Sequence, residues 1–355
     1  MKNNYAVIMA GGIGSRFWPM SRTEMPKQFL DILGTGKTLI QQTVDRFKNI
    51  CPTENILVVT NKQYKSIVLE QLPQLTEEQV VCEPMRRNTA PCIAYANYKI
   101  AAKNPNANII VAPSDHLVLD EPEFVNIINE AIDQSEHSDC LVTLGIKPSR
   151  PDTGYGYIQF AEEATETGKQ VRKVKTFTEK PTLEIAQQFL SSGDFYWNSG
   201  IFIWNIKSIN NAFEQHLSEV DALFKEGVGK YNTPEEQAFI NRIYPTCKNI
   251  SIDYGIMENS DNVYVVLSDF GWSDLGTWGS LYTHLDHDKA GNGIIGDNVH
   301  MYGSKDCIVN VPKDKLVVLQ GLNNYIVVES NNTLLVCKKG DEQKIKQFVI
   351  DIKSQ

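Results

Sequence analysis

No stretch of the 355-residue sequence approaches the roughly 20 consecutive apolar residues that a membrane-spanning helix needs. The start, Met1-Lys-Asn-Asn-Tyr-Ala-Val, has no apolar core of the kind a secretory signal requires, so a cytoplasmic protein is expected. Paired cysteines are also missing. The seven that occur (Cys51, Cys82, Cys92, Cys140, Cys247, Cys307, Cys337) are odd in number and form no Cys-x-x-Cys, which reads as reduced packing residues and not as disulfides or zinc ligands. Positive charge is scarce: 34 Lys and Arg stand against 43 Asp and Glu, a net charge of −9. Nothing global therefore attracts nucleic acid or an anionic membrane, and an anionic substrate has to be met by local cations. Gly-x-Ser-x-Gly, His-Glu-x-x-His and the protein-kinase signature set are absent.

What is present begins with alternation. Up to about residue 150, the β-rich runs "YAVIMA", "NILVVT", "QVVCE", "NIIVAP" and "CLVTLG" alternate with helical candidates near Thr38 to Lys48, Gln63 to Leu72, Ala90 to Lys103 and Glu123 to Ser135. The order predicts a parallel sheet with helices on both faces and ligands beyond the carboxyl ends of the strands. Three post-strand segments then stand out: Gly11 to Arg16, Glu83 to Thr89 and Pro113 to His116. From about 153 a hairpin-like "TGYGYIQF" leads to "FTEKP", a helix near Leu183 to Leu190, and the aromatic "FYWNSGIFIW". After about 290, short apolar strands with Gly, Asn and Asp turns give the tail β-helix character without a strict six-residue period, and a last helix starts near Asp341. A division into a domain of residues 1–288 and a smaller one of 289–355 is expected.

The most informative stretch is "AGGIGSRFWPMSRTEMPKQF". It is not a dinucleotide fingerprint, because Phe17 occupies the position of the third small residue, and "DILGTGKT" is not a Walker loop, because Asp31 replaces its first glycine. What remains is a loop of Gly11, Gly12 and Gly14 able to offer bare N–H groups to phosphate oxygens. Arg16 adds a bidentate fork, Lys27 a mobile point charge, and Pro19 and Pro26 stiffen the segment between them. Glycines alone suit a plain turn as well as a phosphate loop; followed by two such cations they point to a triphosphate.

Other motifs are weaker singly. Asp115 and His116 follow an apolar strand, and Asp274 sits in "GWSDLGTW"; each aspartate suits a helix cap, yet beside a triphosphate loop the two become candidate Mg²⁺ ligands. Glu179 and Lys180 in "FTEKP" are either a surface ion pair or an acceptor and cation for a sugar phosphate. Asn198 and Gly200 mark either a β-bulge or an amide group for hydroxyls, and "SIDYGIME" carries Asp253 and Glu258. "HLDHD" (His284 to Asp288) reads as solvated surface, not as a metal site.

In order along nearly the whole chain, "AGGIGSRFWPMSRTEMPKQF", "EPMRRNTAP", "PSDH", "TGYGYI", "FTEKP", "WNSGIFIW", "SIDYGIME" and "WSDLGTW" resemble the sugar-nucleotide pyrophosphorylases, in particular their GDP-mannose-forming branch. The resemblance implies an α/β fold: a Rossmann-like GT-A nucleotidyltransferase domain with a mixed, mainly parallel sheet, followed by a small β-helical domain. It implies the conversion of GTP and mannose 1-phosphate to GDP-mannose and pyrophosphate. By position, Gly11, Gly12, Gly14, Ser15 and Arg16 would hold the triphosphate with Lys27, while Glu83, Arg87, Asn88, Thr89 and Ser114 would serve the nucleotide. Asp115 and Asp274 would bind Mg²⁺. Tyr155, Gly156, Glu179, Lys180, Asn198, Gly200 and Asp253 would form the sugar-phosphate side, with Arg16, Lys27 and Lys180 as catalytic cations. Arg86 departs from the family, which usually carries a small residue there, and the sequence stops before the isomerase domain of the long bacterial members, so no isomerase activity is expected.

The residues alone leave other readings open: a nucleotidyltransferase for manno-heptose 1-phosphate or glucose 1-phosphate, or a sugar-nucleotide sensor on the same fold. A dinucleotide redox enzyme is disfavoured by the failed third-glycine position. No nucleic-acid or membrane partner is expected, and the apolar tail offers a surface for a homodimer.

Overall fold

A computed structural model describes residues 1–164 and 170–353. The chain divides into two compact units: Met1–Gly11 with Thr43–Ser114 and Val118–Trp272, and Gly12–Gln42 with Asp115–Leu117 and Ser273–Gln355. The glycine-rich loop thus leaves its strand after Gly11 and groups with the C-terminal part of the chain.

The first unit is built on a nine-stranded sheet. Its strands are β1 (Asn4–Met9), β2 (Ile56–Asn61), β3 (Val80–Glu83), β4 (Asn108–Pro113), β5 (Leu141–Ile146), β6 (Gly156–Ala164), β7 (Val171–Glu179), β8 (Phe195–Asn205) and β9 (Val263–Ser268). Their order is β3-β2-β1-β4-β8-β5-β9-β7-β6, with β6 also paired to β8. All five N-terminal apolar runs became strands, and β3, β2, β1 and β4 are parallel as the alternation predicts. The sheet departs from a purely parallel one at β6 and β7, which pair antiparallel with their neighbours, and at β8, which enters antiparallel between β4 and β5. Strand β8 is the long aromatic run of the second half, buried on most of its length, and a central position covers it on both edges.

Strand alternation directs Tyr5, Val7, Leu57, Val59, Ile109, Val111, Phe202 and Trp204 to one shared core. The helix Thr89–Ala101 lies in the same core through Ile93, Ala96 and Ile100. It starts where it does because the Asn88 side chain accepts from Thr89 N–H, and Pro91 is tolerated in a first turn. The helix Glu121–His137 is set similarly: Asp120 Oδ1 accepts from Glu123 N–H at 3.0 Å, with Pro122 and two glutamates in the first turn.

The second unit is a small β-helix with an arm. Strands β10 (Gly293–Ile295), β12 (Ile308–Asn310) and β14 (Tyr325–Ser330) stack in parallel, as do β11 (Val299–Tyr302) and β13 (Val317–Gln320), and β15 (Thr333–Lys338) turns back antiparallel on β14. Successive coils come into register at Gly293, Ile308 and Ile326, unequal steps that explain why no fixed period is visible in the sequence. The helix Ile345–Lys353 follows. Phe17, Leu275, Trp278, Ile308, Ile326 and Ile345 share one core, with the Phe17 and Trp278 ring centroids 4.8 Å apart. Arg22 Nη2 donates to Ser330 O at 3.2 Å and Thr333 Oγ1 at 2.8 Å, fastening the arm to the turn between β14 and β15.

Ile345 is fully buried in this core. Ile345→Ala is expected to lower stability by about 2–4 kcal/mol, read from the shift in a urea unfolding midpoint.

Candidate active site

Within the second unit, Gly14, Ser15, Arg16, Lys27, Asp115 and Asp274 line one cavity of about 280 Å³. Six residues expected from three separate motifs are thus brought together. His116, Gly276 and Lys346 complete the lining. His116 and Gly276 belong to motifs already singled out, whereas nothing in the local sequence marks Lys346, which lies on the last helix.

Lys27 is not a mobile charge. It is 3% exposed, and its ammonium donates to Asp115 Oδ2 at 2.9 Å, Asp274 O at 2.8 Å and Leu275 O at 3.0 Å. An ammonium has three N–H bonds, so each is used, and this offsets the desolvation that burial imposes. Gly14 is fitted to the same side chain: its φ is +63°, and a Cβ there would stand 2.5 Å from Lys27 Cβ. Gly12, by contrast, has nothing within 4 Å of where a Cβ would be, so it is the bare point of the loop. Arg16 Nη1 reaches only Gly276 O, at 3.5 Å, and its Nε is buried without a hydrogen-bond partner.

Burial acts to raise the Asp115 carboxyl, but the Lys27 ammonium and His116 outweigh it and hold it below the ordinary aspartate range. Asp274 Oδ1 accepts from Gly276 N–H at 2.9 Å, so the carboxylate is folded over its own turn. Among the described residues no group of three or more His, Cys, Asp or Glu side chains gathers as a metal centre. Two carboxylates on one cavity are instead the donor set that Mg²⁺ takes when substrate phosphates supply the remaining oxygens. "HLDHD" forms a turn, with Asp288 Oδ1 accepting from Ala290 and Asn292 N–H.

The first unit carries the other expected residues in two groups. Gly156 faces Glu179 across the β6–β7 ladder, and a Cβ on Gly156 would fall 2.3 Å from Glu179 Oε2 and 3.3 Å from Asn198 Cβ. Lys180 Nζ donates to Glu179 Oε1 at 2.5 Å, and Lys180 N–H to Tyr155 O at 3.1 Å; its φ of +49° is the left-handed conformation that turns the side chain back. Asn198 Nδ2 donates to Asp253 Oδ1 at 2.8 Å, and Asn198 Oδ1 accepts from Gly200 N–H at 3.2 Å. A register shift between β5 and β8 and a φ of +71° at Gly200 make this the bulge weighed from the sequence as well as a gathering of polar groups. Asp253, on a π-helical turn, is pushed up to about 6 by burial and by neighbouring Glu179. Tyr155 stands edge-on to Trp197 and Trp272, at 5.0 and 5.4 Å between centroids.

The second group follows β3. Glu83 is buried and accepts from the Tyr244 hydroxyl, Arg87 Nη2 donates to Pro245 O, and Thr89 Oγ1 accepts from Ile252 N–H at 2.8 Å. Asn88 takes a left-handed φ of +68° to cap the helix Thr89–Ala101. Arg86 is exposed and reaches Tyr64 Oη only at 3.5 Å, and its charge acts on the buried Glu83, opposing part of the rise that burial causes. Ser114 is buried, with its N–H on Met9 O and its carbonyl on Thr43 Oγ1. A larger cavity of about 780 Å³ holds none of these residues; the buried Lys99–Glu236 pair lines it.

Residues 5–290 match the nucleotidyl transferase family and residues 297–351 the MannoseP isomerase/GMP-like beta-helix domain. Over 366 residues the chain is 35% identical to mannose-1-phosphate guanylyltransferase of Escherichia coli K12, covering 99% of this chain and 73% of that one. The chain belongs to the mannose-1-phosphate guanylyltransferase family. Alginate biosynthesis protein AlgA of Pseudomonas aeruginosa is 34% identical over 98% of this chain and 72% of its own length. A crystal structure of a mannose-1-phosphate geranyltransferase from Thermus thermophilus superposes with a TM-score of 0.88 at 27% identity, over 99% of both chains. The family's β-helix domain and the observed coils coincide, and no helix among the described residues is long and apolar enough to cross a membrane.

Removing Lys27 strands a carboxylate and two carbonyls, so Lys27→Met is expected to lower unfolding stability by about 3 kcal/mol, and Asp115→Asn by less, in urea titrations. Burial pushes Glu83 up to about 7 from its ordinary 4.5. Between those values the folded chain keeps a proton the unfolded chain has released, so this group's contribution falls as pH rises through the window. Glu83→Gln should flatten the pH dependence of stability from 4.5 to 7 by an amount on the order of 3 kcal/mol.

Proposed function

We propose that this chain transfers a guanylyl group from GTP to mannose 1-phosphate, releasing pyrophosphate and forming GDP-mannose, an activated sugar for polysaccharide synthesis. The observation that carries the reading is the single cavity shared by Arg16, Lys27, Asp115 and Asp274, in a chain 35% identical over almost its whole length to a mannose-1-phosphate guanylyltransferase.

A sugar phosphate is already an anionic nucleophile near neutral pH, so the chemistry needs alignment and charge compensation, and no general base. An oxygen of mannose 1-phosphate attacks the α-phosphorus, and the bond to the bridging oxygen of pyrophosphate breaks. Arg16 is suited to a bidentate grip on the leaving phosphates, beside open backbone at Gly12. Lys27 acts from a fixed position: it holds Asp115 and the Asp274 turn in place and supplies positive potential without leaving its three acceptors. Asp115 and Asp274 are the residues that would hold Mg²⁺, and that ion supplies neutralisation of the phosphate oxygens. Lys180, paired to Glu179, would guide the sugar phosphate, with Glu179, Asn198 and Asp253 as acceptors and donors for sugar hydroxyls. Glu83, Arg87, Asn88, Thr89 and Ser114 would serve the guanosine, and Tyr155 with Gly156 would border the sugar.

The test is pyrophosphate release with Mg²⁺ for four nucleoside triphosphates against mannose 1-phosphate, glucose 1-phosphate and a manno-heptose 1-phosphate. Release with GTP and mannose 1-phosphate is expected, and Asp115→Asn or Asp274→Asn should lower kcat by a factor of 10² or more in a folded protein. Turnover only with a different pair would move the substrate assignment, and silence across the grid would support the sensor reading.

A further inference from the structure

We infer that Lys346, on the C-terminal helix, is a phosphate-binding residue that works as a pair with Arg16 on the pyrophosphate part of the nucleotide and on the pyrophosphate released. This rests on the functional reading above and extends it to a residue outside every motif.

The pairing follows from two buried anchors. Phe17 and Ile345 are both fully buried in the core of the second unit. Arg16 is the neighbour of one and Lys346 of the other, and both side chains line the cavity of about 280 Å³. Packing of apolar neighbours therefore forces two cations towards each other. Lys346 is pushed below the ordinary lysine value, and Arg16 is the largest cause, with burial second. Such a juxtaposition is unfavourable unless an anion relieves it.

The structure supplies no such anion from the protein. Among the described residues neither Arg16 nor Lys346 forms an ion pair with a carboxylate, while the third cation of the cavity, Lys27, is neutralised by Asp115. Arg16 Nε is buried without an acceptor, an independent sign of a missing partner. Three cations and two carboxylates line the cavity, and the uncompensated charge lies on the Arg16–Lys346 side. The ligand that suits a rigid fork beside a flexible ammonium is a polyphosphate, whose oxygens take bidentate and point contacts together. Lys346 is exposed, so its side chain is free to follow the leaving group outward.

Binding of inorganic pyrophosphate in Mg²⁺-containing buffer, followed by calorimetry on the full chain, tests this without turnover. Lys346→Ala should weaken pyrophosphate about tenfold and raise KM for GTP similarly, leaving KM for mannose 1-phosphate unchanged; Lys346→Arg should restore both. Lys344→Ala is the control, since Lys344 pairs with Asp341 at 2.8 Å and does not line the cavity. Equal pyrophosphate binding by Lys346→Ala and wild type, or none by wild type, overturns the inference. A wild-type protein that binds pyrophosphate but makes no GDP-mannose overturns the functional reading instead, and the Lys346→Ala comparison still decides this one.

Discussion

The buried ammonium of Lys27 is the constraint around which the phosphate-handling part of the chain is organised. A lysine with 3% exposure is sustained only by near-complete hydrogen bonding, and its three acceptors come from Asp115, Asp274 and Leu275. Three stretches distant in sequence are therefore tied at one nitrogen. Gly14 follows from the same fact, because the loop has to pass against Lys27 Cβ where any side chain would collide. What looks in sequence like a catalytic cation is, in the fold, also the tie that gives two carboxylates a common cavity.

Much of this was legible beforehand, and for identifiable reasons. The N-terminal strands announced themselves because each is a short apolar run closed by polar or turn residues, and the post-strand segments became the expected functional positions. The glycine-arginine-lysine succession marked a polyphosphate loop because few other purposes need bare backbone and fixed cations together. Glu179, Lys180 and Asn198 converge with Gly156 because β6 pairs with both β7 and β8, which the hairpin-like pattern suggested only in part.

Other features had no local signature. That β8 would separate β4 from β5 depends on which edges compete for it, a tertiary matter that periodicity does not encode. Tyr244 on Glu83 and Ile252 on Thr89 join segments about 160 residues apart, and neither partner is unusual in its own neighbourhood. Lys346 is one of two lysines on an amphipathic helix; its position is set by the burial of Ile345 next to it. The mobility expected of Lys27 failed for the same reason: residue type indicates charge, and only packing indicates freedom.

The central place of β8 has a consequence for how the chain is made. On the ribosome, β4 and β5 emerge early, yet the strand that pairs with both, Asn108 to Asn205 on one side and Leu141 to Trp204 on the other, is synthesised later. Through that interval the growing polypeptide carries two apolar strands with unmatched backbone edges, the kind of surface that invites pairing with another nascent chain. Vectorial synthesis thus leaves the first half of the sheet dependent on a late strand, between the emergence of residue 146 and residue 205.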